Sequence, residues 1–318
     1  MIAPGIAGGG VRAFGVNLAP EFELPGAWKR RPLAEDAMRI VLCDEGEIEA
    51  VWSGGATPGW EGLFGDGERF MCLRGRGGDH HFAYGAHATF HLSCDGRLLR
   101  CAPSDPADLA WQRVLLDSVL FTVALLSGYE ALHAATVASP QGAWAIAAFS
   151  GGGKSTLCSE LLSRGHALVA DDVSMVSRDG DSILVHPGPP VMNLPAVRAG
   201  DAGRHITTFP DDAWVEVPVV STPRPLAAVV LLSRFRGATL ACERVVVAAP
   251  LRLLPNILRF PRTIERMRFD LACDIAAQVP IVVLSADLDV TPADLADELN
   301  ATIGAGRPSQ PGAAVVLR

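Results

Sequence analysis

The chain has 318 residues, of which 49% are apolar and 19% charged, and its formal net charge is −8. That length allows one large or two modest domains, and the apolar share supplies a sizeable core, which excludes wholesale disorder. The basic run Lys29-Arg30-Arg31 is short and stands in an acidic chain, which argues against a nucleic-acid partner or an acidic membrane surface.

Residues 1–10 are small and glycine-rich, lack the basic residues of a signal peptide, and are expected to be disordered. From Val11 to Cys101 the pattern is mostly β. Val11 to Ala19 alternates, and Met38 to Cys43, Ile48 to Ser53, Arg69 to Leu73, His87 to Ser93 and Leu98 to Cys101 are short strand-like runs. Turn signals separate them at Asp44-Glu-Gly46, Gly54-Gly55, Gly65-Asp-Gly67 and Asp95-Gly96, the last being the best hairpin signal. His80, His81, His87 and His91 cluster in this half. Asp79 is the one thiolate or carboxylate at ligand spacing, so solvated loop histidines and strand-face packing are expected rather than a metal site.

Asp105-Pro106 predicts a helix start, with Asp as N-cap and Pro in the first turn, and the helix should run to about Leu126 and end near Gly128. Its apolar run from Val114 to Leu126 is interrupted by Asp117 and is too short to span a bilayer, so no membrane contact and a cytoplasmic location are expected. The domain boundary falls near Ser104. A β-rich domain over 11–104 precedes an α/β domain over 105–303, and 304–318 reads as a flexible tail. Leu132 to Ala138 reads as a strand, on which a lone His133 would ordinarily be a packed polar residue.

The next stretch carries chemistry. Trp144 to Phe149 reads as a buried strand, Ser150-Gly-Gly-Gly-Lys-Ser155 follows it, and then comes a helical pattern with Leu157, Leu161 and Leu162 on one face. Strand, glycine loop, Lys-Ser and helix is the context a phosphate-binding loop requires. Loop N–H groups and the helix N-terminus point at phosphate oxygens, and glycines let the backbone curl into that nest. Lys154 can reach β- and γ-phosphates, and the Ser155 hydroxyl can ligate Mg²⁺. One position departs from the usual pattern, with Ala148 standing where glycine is expected. Gly165 ends the helix, and Ala167 to Ala170 is a short strand that ends in Asp171-Asp172. Paired carboxylates at a strand's carboxyl end suit metal holding by one and proton acceptance by the other.

Val173 to Ser177 and Ser182 to His186 predict a hairpin around Asp179-Gly180-Asp181. Residues 198–224 read as irregular and concentrate Arg198, Arg204 and His205. Ala227 to Leu232, Arg244 to Ala248 and Ile281 to Leu284 read as strands. Leu251 to Arg259 and Arg262 to Ala277 read as helices split by Pro261, and Pro292 to Ile303 as a helix capped by Thr291. The seven cysteines are scattered and form no Cys-x-x-Cys pair, as expected of reduced thiols in a cytosolic protein.

Leu132-His133-Ala134, Ser150 to Ser155 and Arg164 to Asp172, in this order and spacing, together resemble the catalytic core of the HPr serine kinase/phosphorylase family. More narrowly they resemble the HPr-kinase-related peptide-modifying proteins, lasso-peptide kinases among them, whose β-rich region opens on an aromatic-Gly strand like Ala13-Phe14-Gly15. The resemblance implies an α/β fold with a P-loop core of the HPr kinase/phosphoenolpyruvate carboxykinase type and a smaller β-rich N-terminal domain. It implies Mg²⁺ with ATP or another nucleoside triphosphate, and transfer of phosphate to a serine hydroxyl of a peptide or protein, including ribosomally made natural-product peptides. Carried onto this chain, His133 and Asp171 are the acid/base pair. Ser150, Gly151, Gly152, Gly153, Lys154, Ser155 and Thr156 hold the nucleotide phosphates, with Lys154 acting in transfer, and Ser155 and Asp172 hold Mg²⁺.

Thr156 stands where HPr kinases have an acid, and the long C-terminal signature of those kinases is missing, so the expected acceptor is not HPr. An arginine from the C-terminal half is implied, with Arg259, Arg262, Arg266 and Arg268 as candidates. A small-molecule kinase on the same core, or a nucleotide-binding module without catalysis, stays open, as does homo-oligomer formation. Acceptor selection is expected from the β-rich half and from residues 198–205.

Overall fold

The computed structural model describes residues 9–55, 57–63, 68–149, 151–198, 200, 203–210, 212–245, 247–258 and 265–304. In the first half, β1 (Val11–Ala13), β2 (Val16–Pro20), β3 (Met38–Leu42), β4 (Thr57–Leu63), β5 (Arg69–Arg74), β6 (His80–Tyr84), β7 (Ala88–Leu92) and β8 (Leu98–Pro103) form one sheet in the order β1-β2-β3-β8-β7-β6-β5-β4. Every second residue points inward, which puts Phe70, Cys72, Phe82, Tyr84, Phe90 and Leu99 in the core.

Three expectations change here. Val11 to Ala19 is not one strand, because Phe14 and Gly15 take positive φ (54° and 87°) and fold it into a β1–β2 hairpin. Ile48 to Ser53 is not a strand. α1 (Glu45–Val51) occupies it, started by a capping box in which Asp44 accepts from the Glu47 N–H at 2.8 Å and Glu47 accepts from the Asp44 N–H at 3.3 Å. Gly10 already exchanges backbone hydrogen bonds with Arg31, so order begins before Val11, while residues 1–8 lie outside the described residues. The β7–β8 hairpin closes at Asp95-Gly96 as expected, with Leu92 opposite Leu99.

Helix formation after β8 waits for Asp108, whose carboxylate accepts from the Ala110 N–H at 2.9 Å; Asp105 is spent on the Ala107 N–H instead. α2 (Ala110–Val114) continues through a π-turn over Leu115–Val119 into α3 (Leu120–Leu126). Trp111, Leu115, Val119 and Val123 pack with Phe70, Phe82, Phe90 and Leu99, and with Trp214 from far downstream, in a single core. Ser104 therefore marks the end of a sheet but not the end of a core.

The second half comprises β9 (Glu130–Leu132), β10 (Ala135–Ser139), β11 (Gly142–Ala147), β12 (Ala167–Ala170), β13 (Ser174–Asp179), β14 (Ser182–Val185), β15 (Val191–Leu194), β16 (Arg204–Thr208), β17 (Ala213–Glu216), β18 (Arg224–Arg234), β19 (Ala241–Arg244) and β20 (Ile281–Ala286). Its helices are α4 (Lys154–Ser163), α5 (Ala249–Leu253), α6 (Glu265–Gln278) and α7 (Pro292–Leu299). The main sheet runs β12-β10-β11-β18-β14-β13-β9, with β20 on β18 and β19 on β20. β11, β18 and β20 are parallel, and β12 shares their direction because both it and β11 run antiparallel to β10. Every residue of β11 is buried, as a parallel strand covered on both faces must be. Leu157 and Leu161 of α4 and Leu295 and Leu299 of α7 pack on one face, and Leu271 and Ile275 of α6 on the other. This is a mixed α/β architecture in which β11, β12, β18 and β20 end at the same edge.

Leu132 to Ala138 divides in two: β9 pairs with β13 and β10 with β11, leaving His133 in the break between them. The segment 198–224 is not irregular, since β16 and β17 join β15 in a small antiparallel sheet. β19 ends at Arg244, and a left-handed Ala248 (φ 54°) opens α5, which passes into a 3-10 turn at Leu254–Asn256 around Pro255. Among the described residues no helix is long and apolar enough to cross a membrane.

Candidate active site

β11 stops at Ala147, and the chain enters α4 through three glycines. Gly151 and Gly153 have φ of 72° and 96°, a conformation that costs glycine nothing. At Gly152 a Cβ would lie 2.8 Å from the Phe149 carbonyl oxygen and 2.9 Å from the Ala148 methyl. Ala148 itself has no positive φ, so its methyl is tolerated because Gly152 opposite has no side chain. Ser150 lies outside the described residues.

Lys154 opens α4 with its side chain only 6% exposed. Its ammonium donates to His133 Nε2 at 2.9 Å and lies 3.3 Å from Asp172 Oδ1. His133 is placed by its backbone N–H, which donates to the Asn256 carbonyl at 2.7 Å. Burial lowers the His133 pKa, and the Lys154 charge adds to this against the opposing pull of Asp172. A neutral imidazole with its proton on Nδ1 can accept from Lys154.

β12 delivers the two aspartates, and the backbone separates them. Asp172 holds φ +54°, unusual outside glycine, and Val173 N–H closes onto the Asp171 carbonyl at 2.6 Å. Asp171 turns toward the loop, where Oδ1 accepts from Ser155 Oγ at 3.2 Å and Oδ2 from the Asn193 N–H at 2.9 Å. Burial, followed by the Asp172 charge, pushes its carboxyl up to about 7. Asp172 stays about half exposed, beside Lys154 and His133.

These groups face one cavity of about 500 Å³. Gly151 to Thr156, His133, Asp171 and Asp172 line it. Tyr84, Arg113, Asp117, Asn193, Phe209 and Asp212 are among the other residues lining it. Arg113 donates to Asp212 at 2.7 Å, lies 3.6 Å from Asp117, and stacks 4.5 Å over the Phe209 ring. Burial pushes Asp117 up to about 6, against the pull of Arg113 and a hydrogen bond from Asn193 at 3.0 Å.

The structure thus gathers His133, Gly151, Gly152, Gly153, Lys154, Ser155, Thr156, Asp171 and Asp172 at one place. It pairs Ser155 with Asp171, not with Asp172. Among the described residues none of 198–205 lines the cavity; flanking residues do, Asn193, Leu194 and Pro195 before the segment and Phe209, Pro210 and Asp212 after it. Arg204 is drawn to Glu216 at 2.6 Å, and His205 bonds Thr208 at 2.9 Å. Of the C-terminal arginines, Arg259 and Arg262 lie outside the described residues. Arg266 pairs with Asp270, and Arg268 is buried against the Ile257 and Leu254 carbonyls. Among the described residues the arginine lining the cavity is Arg113, which precedes the phosphate loop; an acid interrupting an apolar helix, Asp117, was the signal that could have found it.

Two of the N-terminal histidines pack on strand faces as expected: His80 on β6 and His91 on β7 are buried, and His91 Nε2 lies 3.1 Å from Asp79 Oδ2, while the His87 side chain stays 39% exposed. Among the described residues no group of three or more His, Cys, Asp or Glu side chains is arranged to hold a metal ion.

No family model matches the chain, and no curated protein matches it. Among solved structures it is similar to the HPr(Ser) kinase/phosphatase from Coxiella burnetii at 14% identity, over 54% of this chain and 94% of that one, with a TM-score of 0.32. A likeness this slight carries no argument, and the site stands on its own geometry.

Proposed function

We propose that this protein is a Mg²⁺- and nucleoside-triphosphate-dependent kinase, with ATP the expected donor, built on a P-loop core of the HPr kinase type. Its proposed acceptor is a hydroxyl, serine foremost, of a peptide or protein such as a ribosomally made natural-product peptide. The observation that carries this reading is the convergence of a glycine cradle, Lys154, His133 and two differently oriented aspartates on one cavity that other parts of the chain also line.

The residues fit the implied groups. Left-handed glycines at 151 and 153 shape a backbone nest for phosphate oxygens, and the Ser155 hydroxyl with adjacent carboxylates offers the hard oxygen donors that Mg²⁺ takes. Bound Mg²⁺ would neutralise charge on the β- and γ-phosphate oxygens. Lys154, held ready between His133 and Asp172, turns to the transferring phosphoryl group. Asp171 takes the proton of the attacking hydroxyl as the new O–P bond forms and the bond to the β-phosphate oxygen breaks, its electron pair leaving on the diphosphate. His133 orients Lys154 and completes the acid/base pair.

The Ser155–Asp171 hydrogen bond favours a second assignment, in which Asp171 sits on the cation with Ser155 and Asp172 receives the proton. Under either assignment a non-catalytic module is disfavoured, because a binder has no use for a proton acceptor beside its phosphate loop. The test is to incubate the full chain with γ-labelled ATP, a pool of randomised serine peptides, and a panel of nucleosides and polyols. Label entering peptides supports the reading. Label confined to the small molecules replaces it with a small-molecule kinase, and no transfer to either panel overturns the kinase assignment.

A further inference from the structure

The phosphate cradle accounts for one end of a nucleotide only. Next to it, three large apolar side chains stand in the open: Phe149 is 89% exposed, Phe235 53% and Leu288 50%. Their places in the fold are related. β11, β18 and β20 are adjacent parallel strands, with Ala147 opposite Leu231 and Arg234 opposite Ala286. Phe149 lies two residues past the end of β11, Phe235 one past β18, and Leu288 two past β20. All three therefore sit on the carboxyl edge of three neighbouring strands, spaced about 5 Å apart per strand, on the edge that also carries the glycine loop. In open α/β sheets ligands lie along that edge.

The edge is held in place. Arg234 donates to the carbonyls of Val290 at 2.8 Å and Asp287 at 3.3 Å, and Gly237 N–H donates to the Asp287 carboxylate. The turns after β18 and β20 are thus stapled together. The Arg234 side chain also borders the loop, since a Cβ built on Gly153 would lie 3.7 Å from its Nη1. The platform and the cradle are contiguous, and Arg234 is spent on the turns between them.

The geometry points to a nucleobase platform on Phe235 and Leu288, flanked by the Phe149 ring, which holds the base of the nucleotide whose phosphates lie in the Gly151–Ser155 cradle. This rests on the phosphate-loop reading above and adds the part of the ligand that the loop does not touch. The occupant follows from continuity: a ligand anchored by its phosphates in this cradle can lay its nucleoside along the same edge, on the side of β11 away from β12, which carries Asp171 and Asp172. Aromatic faces accept any base, because every base has a π-face.

The test separates base from phosphate. Titration calorimetry of the full chain with Mg-ATP and with Mg-tripolyphosphate is run on the wild type, Phe235→Ala and Phe149→Ala/Phe235→Ala. The expected result is a roughly five- to hundredfold weaker ATP affinity in the double variant, the range for loss of base–aromatic stacking, with tripolyphosphate affinity unchanged. Unchanged ATP affinity overturns the platform. Equal losses for both ligands also overturn it, because the side chains would then act on the loop. Loss of a concentration-dependent self-association, with ATP affinity intact, would give the patch to a second copy of this chain instead. A wild type that binds neither ligand overturns the phosphate-loop reading itself, and the platform with it.

Discussion

Two clusters of titratable side chains in this molecule contain the same kinds of group and do opposite things. In the N-terminal sheet, Ser53 Oγ donates to Asp79 Oδ1 at 2.5 Å, Ser53 N–H donates to Asp79 Oδ2 at 3.2 Å, and His91 Nε2 lies 3.1 Å from Asp79 Oδ2. At the cavity, Lys154, His133 and Asp172 form a set of comparable size. In the first cluster the carboxylate sits between serine and histidine, its oxygens are already taken, and the His91 and Asp79 side chains are 4% and 8% exposed. That arrangement closes a sheet onto α1. In the second, His133 and Asp172 are 31% and 53% exposed on a 500 Å³ cavity. What distinguishes a candidate reactive site from a structural staple is room for a reacting atom, not residue type.

The sharpest way to break this comparison is to change the aspartates of the cavity. Asp171→Asn should still bind Mg-ATP but lose roughly 10²–10⁴-fold in phosphoryl transfer, the range for removal of a general base. Asp172→Asn should weaken metal-dependent nucleotide binding instead. Calorimetry with Mg-ATP and a hydrolysis assay on both variants decides the roles. Reversed phenotypes would install the second assignment, and identical binding losses would show that the two carboxylates do not divide the work. Lys154→Ala comes next. It should lower ATP turnover by roughly 10²–10³-fold, as loss of one preorganised donor to developing charge does, while the far-ultraviolet spectrum stays that of the wild type. Near-normal turnover would remove the phosphate-loop assignment.

A third histidine sharpens the contrast on the structural side. His186 is buried at the end of β14, edge-on to Tyr129 at 4.8 Å and bonded to Ser177 Oγ at 2.8 Å. Burial, followed by the Arg12 charge, lowers its pKa to about 4. Its folded value lies below the ordinary 6.5, so the unfolded chain binds the proton first. Stability is complete above about pH 6.5 and falls as pH drops toward 4, by up to about 3 kcal/mol. Urea melts at pH 7 and pH 5 should show about 2 kcal/mol of this loss in the wild type and a smaller one in His186→Gln; equal losses would sink the assignment. Asp79→Asn should then cost about 2 kcal/mol at neutral pH, because it unsettles a buried network. It should leave ATP hydrolysis by the folded fraction untouched. Although burial alone would raise the Asp79 pKa, hydrogen bonds from Ser53 and His91 hold it below the ordinary carboxylate range, so this contribution fades in acid.

The cradle was legible in the sequence because it is local. Three glycines, Lys154 and Ser155 are contiguous, and a buried strand and an amphipathic helix flank them. Asp171 and Asp172 were legible for a similar reason, since acids ending a short apolar strand stand out. The rest of the cavity lining was not, because Tyr84, Arg113 and Asp212 meet only through tertiary packing. The Ile48 to Ser53 error had a local cause: β-branched composition suggested a strand, while the Asp44–Glu47 capping box decided for a helix. Arg204 and His205 looked like free positive charge until β16 and β17 placed Glu216 beside Arg204.

The smallest expected effect tests whether the N-terminal sheet takes part in the chemistry of the second half. Deleting residues 1–103 cannot answer this, because Trp111, Leu115 and Val119 share one core with Phe70, Phe82 and Leu99, and the truncated chain would expose that face. Tyr84 offers a finer probe. It closes β6, stacks on His87 at 5.2 Å, and lines the cavity, so among the described residues it is where the first sheet reaches the site. Tyr84→Phe keeps the ring and the packing and removes one hydroxyl. If that hydroxyl contacts the acceptor, phosphorylation of a serine-peptide pool should need about fivefold more peptide for half-maximal rate, the equivalent of roughly 1 kcal/mol for one hydrogen bond. The KM for ATP should not move, because Tyr84 belongs to β6 and not to the Gly151–Ser155 cradle. A variant with both constants unchanged would return Tyr84 to the same class as Asp79, a group that holds the sheet together and takes no part in recognition.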